Sequence, residues 1–290
     1  MELIKKNNKE TLIWKEYSKK DDAKIPYLTY PALDKTGLVN QCFSTRLGGV
    51  SEGIYTSMNL SFTRGDKDEA VRENFRRIAE IMNAEMKDFV FTDQTHTTNV
   101  RIVTGADAGN GLTKEKSFFD VDGLITNTPG LVLSTFYADC VPLYFLDPVK
   151  KAIGLSHSGW RGTVDQMGQK TVEAMTNECD TDPKNLLCAI GPSICQDCYE
   201  VGAEVATQFQ KEFGIQSDEI MKDKKNGKYQ LDLWRANEIV LERAGVKKEN
   251  IFTTNICTCC NDKILFSHRA SQGKRGNLGA FLSLKKEGNI

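Results

Sequence analysis

The sequence predicts one α+β domain, and three observations carry that prediction. Between Phe89 and Ala152 the apolar residues fall in short runs bounded by Gly, Pro and Asp, the pattern of strands. On either side lie segments with apolar residues at three-to-four-residue spacing, the pattern of helices with one buried face. No internal repeat or low-complexity linker divides the 290 residues, a length sufficient for one large core.

Residues 1–36 are charged, contain Pro26 and Pro31, and read as a peripheral N-terminal extension or an edge strand. Leu38 to Thr45 reads as a strand that ends in the loop Arg46 to Gly53. Asp66, with Glu69 three residues on, offers a capping box for a helix through Met82, with Phe75, Ile78, Ala79 and Met82 inward. Strands are expected at 89–91, 99–103, 123–126, 131–134, 141–146 and 152–156. A helix should follow the Trp160–Thr163 turn, burying Val164, Met167, Val172 and Met175. Beyond it the pattern alternates: a strand at 187–190, a helix from Glu200, an exposed turn at 222–228, a helix near Leu233 to Ala244, and strands at Ile251 and 280–282.

Composition narrows the function classes. Net charge is −1 with no long run of one sign, so the Lys and Arg stripe that neutralises a phosphate backbone is missing. No nucleic-acid partner is expected, although a basic pocket for one phosphate is compatible with this balance. The first residues are polar and mixed in charge, with no apolar signal core and no stretch as long as a membrane span, so no membrane partner is expected. Nine cysteines is an odd count in a chain too long for a small disulfide scaffold. Reduced thiols and a cytoplasmic location follow as the expectation.

Chemistry concentrates around the few histidines. Of three in the chain, two stand with one cysteine in punctuated segments: Asp93-Gln94-Thr95-His96, Ala138-Asp139-Cys140-Val141-Pro142 and Ser156-His157-Ser158-Gly159-Trp160-Arg161-Gly162. Imidazole and thiolate suit zinc or copper, and three protein ligands leave an open position, the mark of a catalytic rather than a structural site. The plain alternative is two hydrogen-bonded core histidines and one small buried cysteine.

These segments occur in order with Phe43-Ser44-Thr45-Arg46, Gly48-Gly49-Val50-Ser51 and Ala189-Ile190-Gly191-Pro192-Ser193-Ile194. By them the chain resembles the bacterial YfiH/YlmD family, from about Gly37 to the C-terminus. The family has been labelled laccase-like or multicopper polyphenol oxidase, and its members are regarded mainly as purine nucleoside phosphorylases with adenosine deaminase activity. The resemblance implies a layered sandwich of mixed β-sheets flanked by helices and a single catalytic domain over 37–290. It implies His96, Cys140 and His157 as metal ligands and catalytic residues, with zinc, or else copper, as the ion. It implies purine nucleoside and phosphate as substrates, with adenosine, inosine, guanosine or methylthioadenosine giving base and ribose 1-phosphate. A monomer or weak homodimer is expected.

Four further residues are candidates for substrate or phosphate. Arg46 and Arg161, beside glycines that let an anion approach, present the planar fork that suits phosphate; otherwise they are surface arginines at ordinary turns. Gln94 reads as a contact for base or sugar, or as a partner for buried backbone. Asp139 reads as an acceptor that orients a histidine, or as a turn cap. The chain departs from the family pattern at Gly273-Lys274-Arg275-Gly276-Asn277, where Thr-Gly-Arg is common, and His268 reads as a rim residue or a packing one.

Rival chemistries are named by the same residues. Three histidines cannot furnish the several copper sites of a multicopper oxidase, so a metal-binding protein with weak polyphenol oxidase activity is one alternative. The His-x-Glu and Pro-Cys-x-x-Cys deaminase signature is absent, so deamination would use a different scaffold. A Cys140 nucleophile with a histidine base would instead give an amidase that edits peptidoglycan precursors, removing an amino acid from a UDP-MurNAc-amino acid. Cys195-Gln196-Asp197-Cys198 and Cys257-Thr258-Cys259-Cys260 lie farther apart than a compact zinc ribbon, so no second metal is expected from them.

Overall fold

Runs that are apolar on both faces build two sheets here. The computed structural model describes residues 3–18 and 24–286, within which fifteen strands are formed. In chain order they are β1 (Ile13–Ser18), β2 (Lys24–Thr29), β3 (Val39–Ser44), β4 (Phe89–Phe91), β5 (Val100–Ile102), β6 (Gly123–Thr126), β7 (Val132–Tyr137) and β8 (Val141–Asp147). They continue with β9 (Ala152–Ser158), β10 (Leu187–Ile190), β11 (Glu200–Gly202), β12 (Met221–Asp223), β13 (Lys228–Leu231), β14 (Ile251–Thr253) and β15 (Leu278–Leu284). One six-stranded sheet has the order β1-β2-β3-β15-β7-β4, a second β14-β10-β8-β9-β6-β5, and a small third β11-β13-β12.

Side-chain alternation along the strands sorts the core into three layers. Phe43, Leu133, Ala280 and Leu282 of the first sheet meet Tyr144, Leu146, Ile153 and Leu155 of the second. The opposite faces, with Cys42, Val132 and Phe281 on one sheet and Leu143 and Phe145 on the other, meet helices. Helix Asp68–Met82 covers the first sheet with Val71, Phe75 and Ile78. Helices Met167–Cys179, Ala203–Phe213 and Leu233–Arg243 pack in the layer over the second. Burial on both faces is why the strands read as apolar runs rather than as alternation. Two buried tyrosines tie the sheets together: Tyr144 donates to the Cys42 carbonyl (3.1 Å) and Tyr30 to that of Ile190 (2.6 Å).

The layered sandwich implied by the resemblance is the observed architecture. Residues 13–18 and 24–29 form the outer two strands of the first sheet, and Leu28, Tyr30 and Leu33 enter the core between the sheets. Three local expectations need correction. Asp66 does not cap its helix; it accepts from the Lys67 amide and from Asn59, and Lys67 holds the cap position. The expected helix after Trp160 is two, Trp160–Val164 and Met167–Cys179, because Gln166 takes a left-handed backbone (φ 63°) between them. The helix placed at Glu200 starts at Ala203, since Glu200–Gly202 pairs with Lys228–Gln230 in the small sheet.

Candidate active site on the seam between the sheets

The link from β7 to β8 crosses from the first sheet to the second in only three residues, Ala138, Asp139 and Cys140. That crossing puts Cys140 on the seam, at the end of β8 where Val141 pairs with Ser158 and Pro142 with His157 of β9. On the other side of β9, Gly123 of β6 pairs with Ser156, which sets Asp122 beside His157. The adjoining ends of β6, β9 and β8 therefore deliver a carboxylate, an imidazole and a thiol to one place.

Asp122 organises the site. It is fully buried, its Oδ1 lies 2.7 Å from His157 Nδ1, and its carbonyl accepts from the His157 amide at 2.8 Å. The same carboxylate accepts from the backbone amides of Thr95 (2.8 Å), His96 (3.1 Å) and Thr97 (3.3 Å). These bonds hold His96 at φ 68°, a left-handed conformation that costs a non-glycine residue of order 1–3 kcal/mol. One buried carboxylate thus fixes both histidines, and its bond to His157 Nδ1 leaves Nε2 as the nitrogen available to a ligand.

The ligand atoms of His96, Cys140 and His157 all lie within 4.8 Å of one another. The two imidazoles meet edge to face, with centroids 4.9 Å apart. Burial pushes the Cys140 thiol up, but His157 and His96 outweigh it and bring it down to about 6. Burial lowers His157, while Cys140 and Asp122 more than reverse this and raise it to about 9. Together the shifts describe a thiolate beside an imidazolium, and a bound ion would take the place of the His157 proton on Nε2. Two nitrogens and one sulfur, with the third side of the cluster open because His96 is exposed, fit a zinc or copper ion. Gly159 abuts the cluster: a Cβ there would sit 3.2 Å from Cys140 Sγ and 3.1 Å from His96 Cδ2.

The three donors line a cavity of about 370 Å³. Its other wall comes from the first sheet and its loops. Phe91 and Phe136 meet edge to face there (4.8 Å). Arg64, Lys116 and Arg275 supply positive charge. Lys116 is paired with Asp93, but no carboxylate pairs with Arg275 among the described residues. Arg275 is only 8% exposed, its Nη1 donates to Asn277 Oδ1 and the Gly276 carbonyl, and its Nε has no partner. Burial, then neighbouring Arg64, bring its pKa down to about 10.

The remaining sequence candidates fall elsewhere or do other work. Gln94 lines the cavity, yet its amide is spent on Phe136, accepting from the amide (2.7 Å) and donating to the carbonyl (2.8 Å). Asp139 (φ 87°) does not orient a histidine; it accepts from Thr258 Oγ1 (2.6 Å) and the Arg269 amide (2.7 Å). Asp122 holds the role considered for it. Arg46 is outside the cavity lining, with its guanidinium on the Asp262 and Thr56 carbonyls and over Phe266 (4.5 Å). Arg161 is exposed and stacks on Trp160 (4.2 Å), and His268 is exposed at the start of a short helix. The four cysteines of the two Cys-x-x-Cys pairs, expected to stay apart, come together within 4.8 Å.

A family profile described as "Multi-copper polyphenol oxidoreductase laccase" matches residues 40–285. The chain belongs to this family. Among members of this laccase-like family, "Purine nucleoside phosphorylase YlmD" of Bacillus subtilis (strain 168) is 36% identical over 245 residues, 84% of this chain and 88% of its own. "Adenosine deaminase RL5", from an unknown prokaryotic organism, is 33% identical over 231 residues, 79% of this chain and 88% of its own. The crystal structure of the Bacillus licheniformis hypothetical protein YfiH superposes with a TM-score of 0.85 at 32% identity, covering 89% of this chain and 96% of that one.

Proposed function

We propose that this protein is a purine nucleoside phosphorylase that also deaminates adenosine at the same site. One observation carries the reading: a His/Cys/His donor set and a buried guanidinium without an acidic partner open onto one cavity large enough for a nucleoside. The names of the relatives supply the reaction class, and the cavity supplies a place for each reactant. His96, Cys140 and His157 would hold zinc, with copper as the alternative ion, and that ion supplies Lewis-acid polarisation and water activation at neutral pH.

The chain's own groups do the rest. Arg275, with Arg64 near it, binds phosphate through charge-assisted hydrogen bonds in a setting where burial strengthens them. Phe91 and Phe136 form the apolar wall for the purine. Asp122 keeps His157 in one tautomer and His96 in place. In phosphorolysis a phosphate oxygen bonds the anomeric carbon while the C–N bond breaks, its electron pair leaving with the purine. In deamination water replaces the C6 amino group, which leaves as ammonia. On this reading catalysis resides in residues 37–290, and the protein acts in the cytoplasm as a monomer or weak homodimer.

The test is product analysis of metal-quantified protein given adenosine and inosine, with and without phosphate, beside Cys140→Ala. Phosphate-dependent adenine, hypoxanthine and ribose 1-phosphate, lost in the variant, are expected. Inertness of the metal-loaded protein toward both nucleosides would overturn the proposal. A second reading then takes its place, the amidase, favoured by the Cys140 thiol facing two imidazoles.

A further inference from the structure

We propose that Cys195, Cys198, Cys257 and Cys260 form a second metal centre, a closed tetrathiolate site for a structural zinc ion. The geometry is that of a ligand shell. A tetrahedral zinc with bonds of about 2.3 Å separates its sulfurs by about 3.8 Å. The four sulfurs here all lie within 4.8 Å of one another, with Cys198 and Cys260 3.5 Å apart, and every cysteine of the chain is a free thiol.

The two turns that carry the sulfurs share one closure, in which the amide four residues on donates to the first cysteine's carbonyl: Tyr199 to Cys195 (3.0 Å) and Asn261 to Cys257 (3.2 Å). In the first, Cys198 and Tyr199 donate backbone N–H to the Cys195 carbonyl (3.1 and 3.0 Å), folding both thiols to one side. In the second, the Cys260 amide turns back on the Cys257 sulfur at 3.4 Å, and the Cys195 amide reaches the same sulfur at 3.3 Å. Amides aimed at a sulfur stabilise its charged form and are the outer layer that a thiolate-bound ion needs. Small buried cysteines can also be plain packing residues. Packing alone explains neither the convergence of four sulfurs from two distant segments nor two N–H groups aimed at one of them.

Position separates this centre from the cavity. None of the four thiols lines it, and four protein donors fill a zinc shell and leave no place for substrate. The centre instead gathers three parts of the chain. Ile4 exchanges hydrogen bonds with the Asn261 side chain (2.7 and 3.0 Å), and the Lys6 ammonium pairs with Asp197 between the first two ligands (3.0 Å). Thr258, between the second two, donates to Asp139, the neighbour of Cys140. The ion therefore braces the crossing turn that presents Cys140 to the active site.

Full-length Cys140→Ala/His96→Ala protein, which lacks two donors of the first site, isolates the second. Purified under reducing conditions with zinc, it should retain one zinc per chain. With cobalt in its place it should show thiolate-to-metal charge transfer and tetrahedral d–d bands. Cys198 and Cys260, half-buried, should resist alkylation until a chelator is added. Adding Cys195→Ser/Cys260→Ser should abolish retention. If that variant fails to fold, the Cys140→Ala/His96→Ala protein still decides by its own metal content. No retained zinc, or Cys198–Cys260 disulfide peptides in the freshly purified protein, would overturn the proposal.

Discussion

His96, Cys140 and His157 come from three separate segments at a cavity wall, whereas Cys195, Cys198, Cys257 and Cys260 come from two tight turns away from it. The first cluster is held by a carboxylate that serves both histidines, and one of its three donors is exposed. The second is held by backbone amides, and its four sulfurs are buried or half-buried. A site that must admit substrate keeps a ligand position open and fixes its donors from outside. A site that only braces the chain fills its shell and fixes its donors from their own turns.

Staged metal removal gives the largest expected effect on that contrast. Titrating a chelator into zinc-loaded protein should abolish nucleoside turnover first, with little change in Tm, and lower Tm only in a later step. Simultaneous loss of both would break the distinction between the two clusters. Next in size is Asp122→Ala, which removes the acceptor of His157 and of three amides. Metal affinity of the first site should fall about 10–100-fold, read by competition with a chromogenic chelator, while a cobalt signal from the cysteine cluster stays unchanged.

Arg275→Gln sharpens the comparison inside the cavity. Loss of a charge-assisted contact of about 1.5–3 kcal/mol should raise the KM for phosphate roughly ten- to hundredfold. Adenosine deamination, which uses no phosphate, should keep its rate. The smallest effect belongs to Arg46→Lys. Its guanidinium bonds backbone carbonyls and covers Phe266 outside the cavity lining, so phosphate KM should not move. Denaturant unfolding should show a loss of about 1 kcal/mol.

The His96, Cys140 and His157 cluster was legible because histidine is scarce, and each of the three stood where an apolar run broke. Asp122 was hidden for the opposite reason: it is one of 39 acidic residues, and its role rests on strand register and backbone amides that no spacing encodes. The pattern Asp120-Val121-Asp122-Gly123 at the head of a strand was the available signal. Arg275 was visible only as a departure from a family pattern, because its isolation from carboxylates is a three-dimensional fact. The cysteine pairs misled because residue count is a poor ruler once the chain folds. Strands β10 and β14 lie parallel and adjacent, with Ile190 opposite Thr253. Cys195 and Cys257 follow those partners by five and four residues, so loops far apart in sequence leave the same sheet end together. The central strands and most helices were legible from periodicity, whereas the small sheet of β11, β12 and β13 and the neighbours of each strand were not.

The crossing at Ala138-Asp139-Cys140 has a consequence for how such an enzyme changes over evolutionary time. His157 and Cys140 project from the second sheet, whereas Phe91, Phe136 and Arg275 belong to the first sheet or to the approach to it. On the proposed reading, reactivity and recognition are thereby inherited from different walls. Substitutions on the first-sheet wall can alter which molecule is accepted and leave the donor set intact, so one chemical apparatus can be handed to successive substrates.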